Sequence, residues 1–258
     1  MRSLLALILA STLVVAADRP VVDHAAYTAA LKDFRKGVAK SIDALKKSDA
    51  SISVRLAAVD DVRERLVDEP NSPLAGQVAD LLGSTDAEIA KLLLSALAEA
   101  KAAGATPQVA ALAARADSPL RVPAALALAE IGGAKAVPVL ASLAKDASLA
   151  DNIQEALLKV AGPGVTDAFV AGITDAKADV TARNALIKAA VGRNLRSVAG
   201  ALCVAIQEEA MRLECQKALL KLAQPSDLAA LREAEKAVTN ETTKGALGRL
   251  IKKLEGVK

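Results

Sequence analysis

An alanine followed by leucine or valine recurs along most of this chain, at Ala58-Val59, Ala96-Leu97, Ala125-Leu126, Ala156-Leu157, Ala185-Leu186, Ala218-Leu219 and Ala246-Leu247. The intervals between neighbouring alanines are 38, 29, 31, 29, 33 and 28 residues. A quasi-period of this size marks stacked helical units. One such unit is too small to bury its own apolar face, so units must shield one another along a continuous core. The expectation is an all-α chain, an α-solenoid in which antiparallel helix pairs stack into a superhelix. Composition agrees with it. Only Tyr27, Phe34 and Phe169 are aromatic, so Ala, Leu, Val and Ile must fill the interior. Alanine has the best helix propensity and lets helix axes approach closely. Three rings also make base-stacking platforms untenable, and a formal net charge of +3 gives no field for nucleic acid.

The chain begins with the pattern of a cleavable secretory signal. Met1 and Arg2 give a positive start, Ser3 to Val15 is uncharged and mostly apolar, and Val15-Ala16-Ala17 precedes Asp18. The uncharged run falls short of the roughly 20 residues a spanning helix needs. The expected division is therefore a signal peptide at 1–17 and a single domain at 18–258, periplasmic or secreted, with no integral membrane span once the signal is removed. Loss of Arg2 from the 33 basic residues leaves 32 against 30 acidic ones.

Within the domain, residues 23–47 read as one long N-terminal capping helix. Tyr27, Leu31, Phe34, Val38, Ile42 and Leu45 form a stripe at spacings of three or four, and partner binding or dimerisation is the alternative use of that stripe. About six helix-pair repeats follow over 48–239. Ser118 is placed as an N-cap with Pro119 at the first helical position, Pro123 is expected to bend that helix, and Gly192 to divide the fifth pair. A C-terminal capping helix occupies 240–258. Its Arg249, Lys252, Lys253 and Lys258 read as a solvated face able to touch an acidic surface.

The run Asp117-Ser118-Pro119-Leu120-Arg121-Val122-Pro123-Ala124-Ala125-Leu126-Ala127-Leu128-Ala129-Glu130-Ile131-Gly132, followed by Ala136-Val137-Pro138-Val139-Leu140, resembles a HEAT-type repeat. It is most similar to the short subclass also found in phycobilisome bilin lyases. The resemblance implies helix pairs in a curved superhelix with the second helices on the concave side. In later units Asn152, Thr181 and Glu214 stand where Arg121 does, so the fold carries over and no general role for Arg121 does. The aromatic positions of the rival tetratricopeptide repeat are unfilled.

Side chains with chemical potential are few. His24 is the only histidine and lies at a helix start, without the second imidazole or thiols that a zinc site needs. Cys203 and Cys215 lack metal spacing. They stand at similar distances from the turn near Gln207 to Glu209, so two antiparallel helices would bring them together, either as a disulfide or as two buried thiols. Asp60-Asp61 reads as a solvated helix face, and Asp167, Asp175 and Asp179 as residues of turns or helix starts. Gly162-Pro163-Gly164 resembles no phosphate cradle.

No catalytic, cofactor-binding or metal residue is therefore expected, and the partner-binding residues stay unassigned. The functional expectation is a non-enzymatic, exported scaffold or adaptor that binds a protein or peptide on one face. The alternatives are an enzyme or chromophore-handling protein of the bilin-lyase type and a self-associating structural protein of the envelope. The charge-poor second helices at about 163–174 and 195–206 would mark a contact strip if Phe169 is exposed, and plain core if it is buried.

Overall fold

The computed structural model describes residues 22–256, so the expected signal peptide and Lys258 lie outside the described residues. The described chain is all-helical, with no strand. Fifteen α-helices follow one another: α1 His24–Phe34, α2 Val38–Lys46, α3 Ile52–Asp68, α4 Leu74–Leu81, α5 Ala87–Glu99, α6 Thr106–Ala114, α7 Arg121–Ile131, α8 Ala136–Leu143, α9 Ala150–Lys159, α10 Val165–Thr174, α11 Val180–Gly192, α12 Ala199–Ala205, α13 Arg212–Leu222, α14 Leu228–Ala237 and α15 Glu241–Glu255.

Two rows emerge from how these helices pack. The odd-numbered helices touch in succession from α1 to α15, and the even-numbered ones from α2 to α14. Each even helix also packs on the odd helix that follows it. The seven Ala-Leu or Ala-Val pairs fall one on each odd helix from α3 to α15. All seven alanines but Ala185 are buried, and at Ala185 the half-buried alanine is replaced in the interior by Ala182 and Leu186. One continuous core of Ala, Leu, Val and Ile runs between the rows from Phe34 to Leu254.

Side-chain caps set many of the helix starts. Asp23, Ser51, Asp86, Asp179 and Asn240 each accept a hydrogen bond from an amide of the first turn, which satisfies a donor the helix itself leaves open. Gly164 enters α10 with φ 74°, a left-handed conformation that costs glycine little.

Several expectations are corrected. Residues 23–47 form two helices, because the chain breaks at Arg35-Lys36-Gly37 and Gly37 stands extended ahead of α2. Both pack on α3, so the described residues open on a helix pair and not on a single long helix. Pro123 has no bend to cause, because α7 starts at Arg121 and Pro123 sits in its first turn, where the missing N–H has no intrahelical acceptor. Ser118 instead stabilises the preceding turn by accepting the Leu120 amide, and Pro119 lies outside the helix. Gly192 is still helical, and Asn194 makes the reversal with φ 54°.

Candidate functional site

The two rows differ sharply in charge. Helices α6, α8 and α12 contain no ionisable side chain apart from the two-thiol region, where α12 carries Cys203, and α10 contains only Asp167. Every odd helix carries at least two charged residues. The solvent side of these four neighbouring even helices is built mostly from short side chains: Pro107, Ala111 and Ala114 on α6, Pro138 and Ser142 on α8, Ala171 beside the exposed Asp167 on α10, and Gly200 and Val204 on α12. Val204 is 57% exposed. Charged residues bound the strip, with Asp80 on α4 at one end and Arg232, Glu233 and Lys236 on α14 at the other. Phe169, the marker for this region, is 0% exposed and belongs to the core, so the contact strip expected around an exposed Phe169 is not found and what these helices show to solvent is small side chains without an aromatic anchor.

The odd row is fastened by three arginines. Arg121 Nη1 donates to Asp146 Oδ2 at 2.6 Å, while its Nε donates to the Ala113 carbonyl near the end of α6 at 3.4 Å. Arg183 repeats this arrangement: Nε donates to the Ile173 carbonyl at 2.9 Å and Nη2 donates to Glu208 at 2.8 Å. Arg55 pairs with Asp86, the N-cap of α5, and its buried Nε has no partner. Each guanidinium thus joins one odd helix to the acid that precedes or caps the next. The Arg183 guanidinium holds Glu208 below the usual carboxylate range, and the hydrogen bonds from Ser148 and Arg121 lower Asp146 to about 2. A fourth arginine, Arg193, donates from Nη1 to the carbonyls of Leu157, Leu158 and Val160 and lies over the Phe169 ring. It closes the C-terminus of α9, and burial lowers its pKa.

Asp60-Asp61 is not a solvated face. Asp61 is 2% exposed, accepts from Ser41 at 2.6 Å and pairs with Arg65 at 3.0 Å. Asp60 accepts from the Tyr27 hydroxyl and pairs with Arg63 at 3.1 Å. Burial and the Asp60 carboxylate both push the Tyr27 phenol upward. Arg65 also donates to the Phe34 carbonyl at 3.1 Å, so these groups fasten α1 and α2 to α3. Beside them lies an open cleft of about 390 Å³ lined by Val38, Arg65, Asp68, Glu69, Ser72, Pro73, Leu74 and Gln77.

The remaining candidates are scattered. His24 is exposed at the start of α1 and stacks on the Tyr27 ring. Asp179 caps α11, Asp175 accepts the Lys177 amide just after α10, and Asp167 lies in the first turn of α10. Cys203 and Cys215 sit on the packed helices α12 and α13 as buried free thiols. Burial pushes Cys203 up to about 11 and Cys215 up to about 12, which keeps both protonated and unreactive. Among the described residues no group of three or more His, Cys, Asp or Glu is placed to hold a metal ion. Likewise no described helix is long and apolar enough to cross a membrane.

The arginine fastenings are what the sequence reading missed. Their signal is a recurring separation of 25 residues, shared by Arg121–Asp146 and Arg183–Glu208. No family model matches this chain, and no curated protein matches it either.

Proposed function

We propose that this chain is an exported α-solenoid of HEAT-like helix pairs that works as a non-enzymatic scaffold, binding a protein or peptide on the charge-poor face of its second helices. The observation that carries the reading is the contrast between the rows. Surface helices ordinarily place charged residues on their outer side, yet α6, α8 and α12 place none there. A face that carries a single charged side chain, Asp167, across four successive even helices lets a partner approach with little stripping of water from ions. Short side chains let that partner's backbone come close.

The scale fits a peptide ligand. At the usual helix spacing of 8–10 Å, four neighbouring helices span about 24–30 Å, the length of an extended segment of about eight residues. The N-terminal signal pattern supports placing this binding outside the cytoplasm, and the alternation of packing partners supports the stacked arrangement.

The test is affinity capture from the exported fraction with the wild-type chain and with an Ala111→Glu/Ser142→Glu/Val204→Glu variant. All three positions are exposed, so the circular dichroism spectrum and melting temperature should stay close to wild type. The wild type should retain a reproducible companion that the variant loses. A companion retained equally by both, or none with either, would remove the reading.

A further inference from the structure

The exposed charges of the odd row are unevenly divided along it. Over α5, α7 and α9 the exposed charges are Glu88, Glu99, Glu130, Asp151 and Glu155 against Lys91 and Lys159. Those two lysines are already paired, with Glu88 and Glu155. Over α11, α13 and α15 the sign reverses: Lys188, Lys217, Lys221, Lys244, Arg249, Lys252 and Lys253 are exposed against Glu241 and Glu255. Of the seven bases only Lys217 is in an ion pair among the described residues, with Glu214. The near-neutral total charge therefore conceals a strongly basic end.

Large apolar side chains protrude from the same end. Leu213 is 62% and Leu220 54% exposed. They stand seven residues apart on α13 with Lys217 and Lys221 between and beside them, all four on one face. Leaving two leucines this exposed to water is unfavourable, and the lysines around them disfavour a dry apolar protein contact. A surface that accepts both is the boundary of a lipid bilayer, where leucine enters the acyl region while lysine stems reach back to anionic headgroups.

We infer that the α11–α13–α15 face is a peripheral docking surface for an anionic lipid bilayer. Charge complementarity selects the occupant, and the protruding leucines distinguish a bilayer from an acidic polypeptide. Because the face belongs to the odd row, the docked protein keeps its even row away from the lipid. The inference stands whether or not the even row has a partner.

Sedimentation of the full chain with vesicles of phosphatidylglycerol and phosphatidylcholine tests it. All variants share the N-terminal segment, so differences between them read this face alone. The wild type should bind anionic vesicles and release them in high salt, with little retention on phosphatidylcholine alone. Lys221→Glu/Lys252→Glu/Lys253→Glu should weaken anionic binding about a hundred-fold or more, since each basic residue near the headgroups contributes a comparable share. Leu213→Ser/Leu220→Ser should weaken it about tenfold with the charge unchanged. Should the double variant fold poorly, Leu213→Gln alone, at the most exposed site, gives the same comparison. Equal binding by every variant, or none by the wild type, overturns the inference. So does binding to soluble polyglutamate that needs the lysines and ignores the leucines, which would make the partner an acidic polypeptide.

Discussion

Lys101 holds a positive φ of 52° just past α5, where the Ala102 amide reaches back to the Leu97 carbonyl and closes the helix end. A side chain with a β-carbon is strained there, and Asn194 after α11 occupies the equivalent place at φ 54° with a residue better suited to it. Lys101 is exposed, so Lys101→Gly removes strain without removing packing. It should raise unfolding stability by about 0.5–1 kcal/mol, read from urea denaturation. Single residues were the least legible scale. Asp60 and Asp61 read as surface because adjacent helix positions point about 100° apart and nothing local announces Ser41 or Tyr27 as partners. The strand of contacts that buries them exists only once α1 and α2 have folded back on α3.

At the scale of elements the helix starts and stops were largely readable, because Asp86, Asp179 and Asn240 announce themselves as caps and proline and glycine mark the breaks. The failures have physical causes. A continuous apolar stripe masked the break at Gly37, since both halves of 23–47 bury the same side against α3. Pro123 was misread by two residues of boundary, enough to move it from the interior to the first turn. The link from α7 to the turn before α9 also carries an acid dependence. Asp146 titrates near 2 in the folded chain against 3.8 when free, so its contribution is fully present above about pH 4 and is lost as pH falls toward 2. Melting temperatures measured from pH 5 to pH 2 should therefore fall less steeply in Asp146→Asn than in wild type. An identical slope would mean that the carboxylate is not held by Arg121 and Ser148.

For the whole molecule, the alternation of alanine positions carried the all-helical architecture, whereas the charge division along the odd row required knowing which residues face outward. The arginines that fasten the odd row, Arg55, Arg121 and Arg183, lie 66 and 62 residues apart, twice the alanine interval. This arginine–acid fastening therefore falls at every other junction between odd helices. Joining Ala114 to Asp175 would remove α7 to α10 and bring Arg183 to the place Arg121 held beside the end of α6. The shortened chain should keep its helical circular dichroism and one cooperative melt. Joining Ala114 to Ala144 removes only α7 and α8, strands Asp146 without its guanidinium, and should melt lower and more broadly.

Seen through growth and loss, the smallest piece of this protein that can be copied or discarded cleanly is a quartet of helices. Lineages of such a chain should shed stretches near sixty residues, such as α7 to α10, more readily than α7 and α8 alone, since the shorter loss leaves Asp146 without its guanidinium.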